Sequence, residues 1–381
     1  MYIRTILVIL FLSSILSAQQ NNRREFRFPE VPGYILMKCD LHLHTVFSDG
    51  NVWPDTRVVE AWRDGFDAIA ITDHFEYTPH KKDIPGNFNR SFELAQQEAE
   101  MRNIILIKGG EVTRKMPPGH CNAIFTKDND PLNTSEWMDA LKNANDQGAF
   151  IFWNHPGWKG QQPDGIEKWY GEHTEIFNKG YLHAIEVVNG SEYYPLAHKW
   201  ALEKNLTLVG NSDSHDPIGM EYEPLPGFRH RPVTIVLSEE STDAGIRNSL
   251  KAGRTIIYHQ NSLIGKEEYL KLFFYNSIKV KNPDVLLKDK EPQFIQIANN
   301  TELSYELELS EKIEGLLLPD KITLDAEKTI LLPIRAATAE SEVNVSGIKY
   351  NVKNLIPEPG KGVTIELPVT VKKMSGDKAQ K

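Results

Sequence analysis

From residue 34 to about residue 260, short apolar runs take turns with longer amphipathic ones. Tyr34–Cys39, Phe66–Thr72, Ile104–Ile107, Asn122–Thr126, Ala149–Trp153, Ala184–Val188, Leu206–Val209 and Arg231–Leu237 are rich in β-branched and aromatic side chains. Turn formers bound most of them, a pattern that predicts buried strands. Between these runs, apolar positions recur at helical spacing over Thr56–Arg63, Ser91–Arg102, Ser135–Gln147, Ile166–Asn178, Tyr194–Lys204 and Asp243–Lys251. Ser91 is the expected N-cap of its helix, and Gly253 follows the last one. The alternation predicts an α/β fold with mostly parallel strands, whose C-terminal ends are where functional side chains gather.

Thr255–Tyr258 closes this pattern, and from about residue 265 the period changes. Tyr269–Tyr275, Phe294–Ala298, Leu303–Leu309, Ile330–Ile334, Val343–Val345 and Val363–Leu367 read as strands separated by turn-rich pieces, which predicts a small all-β sandwich of Ig-like form. The expected division is an α/β domain over residues 34–262, a β-sandwich over 263–373 and a polar tail over 374–381. The sandwich contains no histidine, so its role is expected to be packing against the first domain, dimerisation or glycan contact.

Residues 1–18 carry Arg4, an apolar stretch Ile6–Leu12 and the small residues Ser17 and Ala18. This is the layout of a secretory signal peptide, too short and too weakly flanked for a stable membrane span, with residues 19–33 as a linker. An uncleaved anchor is the alternative, and both place the body of the protein in the periplasm or outside the cell. The net charge of −9 with no long basic run speaks against nucleic acid as the main partner. The only cysteines, Cys39 and Cys121, are expected to be small buried hydrophobes, with a disulfide between them left open. Oligomeric state is not legible.

Candidate chemistry clusters at the ends of the predicted strands. In Asp40-Leu41-His42-Leu43-His44, an extended backbone puts Asp40, His42 and His44 on one face and the leucines on the other, so two imidazoles can share a metal. His74, His120, His155 and His215 fall at later strand ends, together with Asp49, Asp73, Glu111 and Asp213. Mixed imidazole and carboxylate donors suit Zn, Mn or Fe, and a carboxylate such as Glu111 can bridge a pair of cations. Arg114, Lys115, Lys159, Arg229 and His230 sit in neighbouring loops as candidate phosphate contacts. Trp153, Trp158, Tyr77 and Phe47 are candidates for the floor of a pocket, and Glu186 and Asn189 face the same mouth without an assigned role.

Taken in order, Asp40-x-His42-x-His44-Thr45, Thr72-Asp73-His74, Gly110-Glu111, His120, Asn154-His155-Pro156 and Ser212-Asp213-x-His215 resemble the motifs of the PHP (polymerase and histidinol phosphatase) superfamily. Within that resemblance, Val46–Pro54 and Tyr77–Pro85 are similar to the secreted bacterial Sb-PDE-type phosphodiesterases. The resemblance implies a distorted (β/α)7 barrel holding two to three divalent metals. One would be held by His42, His44, Glu111 and Asp213, a second by His120 and His155 with Glu111 as bridge, and a third by Asp49, His74 and His215. Some relatives carry histidine where this chain has Asp49. Asp40 and Asp73 would hold the imidazole rings in place. The implied activity is hydrolysis of a small phosphoester, most readily a diester, by metal-activated water attacking phosphorus, with Glu111, Asp213 and His215 as catalytic residues. The alternatives are a phosphomonoesterase of histidinol-phosphatase type, another metallohydrolase acting on a carbon ester or amide, and a non-catalytic module that binds metal or a surface.

Overall fold

The computed structural model describes residues 23–222, 230–288 and 291–373, so the leader, the C-terminal tail and Arg229 lie outside the described residues. Strands β1 (Ile35–Asp40), β2 (Ala68–Ile71) and β3 (Ile105–Val112) pair in parallel. β4 (Cys121–Ile124) runs antiparallel between β3 and β5 (Phe150–Trp153), and β6 (Ala184–Asn189) returns to parallel pairing with β5. After the short β7 (Glu192–Tyr193), β8 (Thr207–Asn211) pairs in parallel with β6. On the other side of β1 come β9 (Val233–Ser238), β10 (Thr255–His259) and β11 (Ser262–Gly265), all antiparallel. The mostly parallel pairing expected from the alternation therefore fails around β4 and β9: β3 reaches β4 through the Pro117-Pro118-Gly119 turn and only Gln260 and Asn261 separate β10 from β11, while β4–β5 and β9–β10 are antiparallel even though the helices Trp137–Asp146 and Asp243–Lys251 lie between them.

The sheet curls until its ends meet. Past β1 the backbone of His42 to His44 pairs in parallel with Asp213 and Ser214 beyond β8, with Asp213 N–H donating to His42 O at 3.0 Å and His44 N–H donating to Ser214 O at 3.1 Å. At that level the wall is a ring of seven strands, β1 to β6 and β8. Lower down, threonines replace the ladder. Thr234 Oγ1 exchanges hydrogen bonds with the N–H and O of Gly210 at 2.9 and 2.7 Å, and Thr255 Oγ1 donates to Leu208 O at 2.7 Å. Met37, Cys39, Leu41, Ala70, Phe150, Phe152, Val209 and Val236 make one buried cluster within the sheet. Cys39 and Cys121 are buried free thiols.

The helices are α1 (Pro54–Arg63), α2 (Arg90–Arg102), α3 (Trp137–Asp146), α4 (Gly171–Asn178), α5 (Pro195–Glu203), α6 (Ile218–Glu221), α7 (Asp243–Lys251) and α8 (Glu267–Ser277). Ser91 is not an N-cap: Asn89 holds that position, and Ser91 is buried inside the helix. The helix expected from Ile166 starts only at Gly171, because Glu167 is taken up by the Leu196 N–H at 3.1 Å. The run Tyr269–Tyr275, expected as a strand, is helical. Its buried side chains are Leu270, Phe273, Phe274 and Ser277, the i, i+3, i+4, i+7 set of one helical face, which the aromatic content of the run disguised.

Helix α8 joins the two domains. Its buried phenylalanines share one core with Ile69 and Ile235 of the barrel and with Ile295, Tyr305 and Leu367 of the C-terminal domain, and Tyr305 Oη donates to Ser277 Oγ at 2.7 Å. That domain is a sandwich of a four-stranded and a five-stranded sheet. One short segment, Leu355–Ile356, leaves it to pair in parallel with β11. Phe273→Ala should therefore cost about 3–5 kcal/mol and lower the stability of both domains together, read as one shifted urea transition rather than two separate ones.

Buried histidines outside the cluster at the strand ends are kept neutral. His173 stacks on Trp153 at 3.8 Å, shares its Nε2 with Pro118 O at 2.7 Å, and is pulled down to about 4 by burial. Burial likewise holds His198, His230 and His259 at about 4. The unfolded chain protonates these rings near the ordinary value of about 6.5, so between that value and the lowered one it binds protons that the folded chain refuses. Stability should fall as the pH drops through this window, by up to about 1.4 kcal/mol per pH unit for each ring. Urea midpoints across the window test this, and His173→Gln should flatten the slope by about one proton.

Candidate metal centre

Beyond Asp40 the regular strand stops and the alternation breaks. Leu41 joins the buried cluster within the sheet, whereas Leu43 joins the core shared with the C-terminal domain. Asp40 does not share a site with the histidines: it accepts from Ser212 N–H at 3.1 Å and Ser212 Oγ at 2.6 Å, and pairs with the buried Arg231 at 3.3 Å. His42 and His44 are left facing inward with their Nε2 atoms 3.1 Å apart, each 3.0 Å from Asp213 Oδ1.

The other predicted donors converge on this pair. Glu111, at the mouth end of β3, sets Oε1 at 3.0 Å from His120 Nδ1 and at 3.6 Å from both His42 Nε2 and His155 Nε2. Its Oε2 lies 2.5 Å from His74 Nδ1 and 3.7 Å from His44 Nε2. Asp49 Oδ1 is 3.2 Å from His215 Nε2, 3.4 Å from His74 Nε2 and 3.9 Å from His44 Nδ1. Three groups are compact enough to share a cation: His44, Asp49, His74 and His215; His42, His44 and Asp213; His74, Glu111 and His120. His155 borders them, with Nε2 at 3.9 Å from Asp213 Oδ2.

The donor set fits cations. Asp49 Oδ1, Glu111 Oε2 and Asp213 Oδ1 are buried and accept no hydrogen bond, a costly condition for a carboxylate oxygen unless a positive charge sits beside it. Donors bound at about 2.0–2.1 Å to one tetrahedral ion lie about 3.3 Å apart, near the spacing of several of these pairs. The backbone accepts strain to place them: His155 and Asp213 have φ of 28° and 54°, left-handed values for non-glycine residues. At Gly50 a Cβ would lie 2.8 Å from the His44 carbonyl and the Thr45 nitrogen, so only glycine lets the Asp49 loop fold back over His44.

The electrostatics follow from this crowding. Burial, reinforced by His215 and His74, holds His44 down to about 3, the neutral form a ligand needs. Burial opposes charge on His42 as well, but Asp213 and Glu186 override it and push the ring up to about 10. Burial likewise opposes ionisation of Glu111, which His74 and His120 nevertheless keep well below the usual carboxylate range. Asp213 is held down in the same way, mainly by His42 and His44.

Behind the donors lies a hydrogen-bonded layer that differs from the expected one. The carboxylate on His42 Nδ1 is Glu186, at 3.1 Å, not Asp40. Glu186 also accepts from Asn211 Nδ2 at 2.9 Å and from His155 N–H and Asn189 Nδ2, both at 2.8 Å. Asp73 touches no ring either: it accepts from Thr45 N–H and Ser48 Oγ, both at 2.7 Å, and Ser48 Oγ lies 3.3 Å from His44 Nδ1. Asn154 Nδ2 donates to Glu111 Oε1 at 2.7 Å, and Thr113 Oγ1 lies 2.6 Å from His74 Nδ1. Glu186 was detectable as an acidic residue inside the buried run Ala-Ile-Glu-Val-Val; Thr113 and Ser48 left no comparable signal.

The candidate phosphate contacts separate. Arg114 is taken up by Glu76 and by the carbonyls of Thr113 and Thr134, at 3.0 and 2.7 Å. His230 packs on Tyr258 at 4.0 Å and on Phe26 at 5.8 Å, an aromatic setting rather than a phosphate site. Lys115 and Lys159 are exposed. Trp153 is fully buried against His173 and Trp200, so it is core and not pocket floor. Phe47 is half-buried beside Trp53, whereas Tyr77 and Trp158 are exposed next to the cluster.

Since Glu186 fixes the ring of His42 and the backbone of His155 together, Glu186→Gln should weaken metal binding by about 10- to 100-fold while leaving the far-UV circular dichroism unchanged. Competition titration with a chromogenic chelator measures this, and unchanged affinity would remove Glu186 from the site.

A PHP domain model matches residues 40–201, and an Ig-like domain model matches residues 278–368. Among solved structures, a two-domain protein containing a predicted PHP-like metal-dependent phosphoesterase from Bacteroides vulgatus ATCC 8482 is 41% identical, with a TM-score of 0.85 over 92% of this chain and 99% of that one. A candidate metal-dependent phosphoesterase from Bifidobacterium adolescentis is 16% identical, with a TM-score of 0.41 over 59% of this chain and 98% of that one, too distant a likeness to bear on the site. No curated protein matches the chain. With two-domain similarity at this level and the PHP motifs gathered at one mouth, the chain belongs to the PHP family of metal-dependent phosphoesterases and carries an Ig-like C-terminal domain.

Proposed function

We propose that this phosphoesterase is an exported phosphodiesterase. Export rests on the signal-peptide pattern of residues 1–18. The observation that supports hydrolysis at phosphorus is the convergence of Asp49, Glu111 and Asp213, each with an inward oxygen that accepts no hydrogen bond, among the cluster histidines. His42, His44, Glu111 and Asp213 would hold one cation, His120 and His155 with Glu111 another, and Asp49, His74 and His215 a third. The distances also bring His44 to Asp49 and His74 to Glu111, so these rings border more than one position. Bound divalent ions, Zn, Mn or Fe on this donor set, would lower the pKa of the attacking water and neutralise charge developing on the phosphoryl oxygens.

The chain's own part is to position. Glu186 and Asn189 hold His42 and Asp213 from behind, and Asn154 fixes Glu111. His215 is the most exposed ring of the cluster; its Nδ1 donates to Asp213 O at 2.8 Å, which turns Nε2 toward Asp49. The preference for a diester rests on charge. A monoester dianion calls for more fixed positive charge than a diester, which carries one negative charge; of the described candidate cations, Arg114 is paired with Glu76, and Lys115 and Lys159 stand exposed at the surface.

Metal content of the purified protein, measured beside hydrolysis of bis(p-nitrophenyl) phosphate and p-nitrophenyl phosphate, tests the proposal. Two or three metals per chain are expected, with kcat/KM at least about tenfold higher on the diester. Chelation or His155→Ala should each lower that activity by about 100-fold or more. A monoester preference would replace this reading by a phosphomonoesterase, and tightly bound metal without turnover on either ester would favour a binding module.

A further inference from the structure

Resting on the phosphoester reading above, we propose that a group esterified to the phosphate is a flat aromatic ring, aryl or nucleobase-bearing, and that it stacks on the indole of Trp158. Trp158 is 46% exposed, although its ring centroid lies only 5.3 Å from that of His155 and 5.9 Å from that of His120. A large aromatic beside a polar, charged mouth gains little from packing at that exposure. Trp153 shows the contrasting case, fully buried among Trp200 and His173.

The indole is nonetheless held. It lies against Gly160, where a Cβ would come within 2.5–2.7 Å of its Cζ2, Cη2 and Cε2 atoms, so the ring occupies space that any larger residue would claim. Its own backbone is bonded on both sides: Trp158 N–H donates to His155 O at 3.0 Å, and Trp158 O accepts from the N–H groups of Gln161 and Gln162 at 2.9 and 2.8 Å. Gln161 Nε2 ties the same loop to Arg114 O at 2.9 Å. A ring supported from below by a glycine and fixed beside the donor cluster is a preformed stacking surface, and little conformational entropy is lost when a ligand settles on it.

A second exposed aromatic borders the cluster. Tyr77 is 54% exposed with its ring 6.2 Å from that of His74, and His74 lies 5.6 Å from His120. Tyr77, His74, His120 and Trp158 are thus successive neighbours, with ring centroids 6.2, 5.6 and 5.9 Å apart.

Calorimetric titration of the metal-loaded full chain with two matched pairs tests this without relying on turnover: phenylphosphonate against methylphosphonate, and adenosine 5′-monophosphate against ribose 5-phosphate. The ring-bearing member of at least one pair should bind about 5- to 100-fold more tightly. Trp158→Ala should remove that gap, and Trp158→Phe should keep most of it. A gap for the first pair alone assigns an aryl group, and a gap for the second assigns a nucleobase. No gap in either pair with the unaltered protein overturns the proposal, and so does a gap that survives Trp158→Ala. Diester hydrolysis without a ring preference would sink this inference alone, whereas a ring preference without any ester hydrolysis would sink the hydrolase reading and leave the stacking surface standing.

Discussion

Three carboxylate oxygens, of Asp49, Glu111 and Asp213, face one another's histidine partners at a buried mouth and accept no hydrogen bond. The neighbouring imidazoles can serve them only through ring N–H groups. His44, crowded by His215 and His74, is held to about 3 and does not accept a second proton at neutral pH. Without cations the carboxylates draw protons onto other rings instead: despite burial, Asp213 and Glu186 push His42 up to about 10, and Asp49 and Asp213 push His215 up to about 9. Much of the surrounding fold holds these groups against their mutual repulsion.

The closure of the barrel and the metal centre are the same piece of backbone. His42 to His44 supply donors and also pair with Asp213 and Ser214 to complete the ring of strands, so the wall closes where the ligands stand. That explains why Arg57 is buried there: its guanidinium donates to His44 O and Ser214 O, both at 2.9 Å, and pairs with Glu60 at 2.9 Å. The left-handed φ of Asp213 belongs to the same junction. A segment that must both continue a sheet and aim a side chain across it cannot keep ideal strand geometry.

Much of this was legible in the sequence because it depends on local pattern. Buried strands announce themselves as apolar runs, and most donors that the structure brings together follow their C-terminal ends, whereas His120 precedes the antiparallel β4 and Asp49 lies in the loop after β1. What stayed hidden depends on partners distant in sequence. The roles expected of Asp40 and Asp73 passed to Glu186 and to the Ser48 hydroxyl, because a strand's alternation says which way a side chain points and not what it meets. Arg114 looked free for phosphate until Glu76 closed on it. Helix α8 was misread because Phe and Tyr favour strands, while burial of one helical face by two domains at once decided otherwise.

That shared face gives the C-terminal domain a physical role whatever else it does. Phe273 and Phe274 have barrel residues on one side and sandwich residues on the other, and Leu355–Ile356 extends the barrel sheet beyond β11. The far edge of that sheet is therefore covered by the second domain and not left open to pair with another chain. The sheet continues from β11 through β10 and β9 to β1, the strand that leads into His42 and His44. A domain without a single histidine is thereby joined, through one continuous sheet, to the strand on which the metal-binding end of the molecule is built.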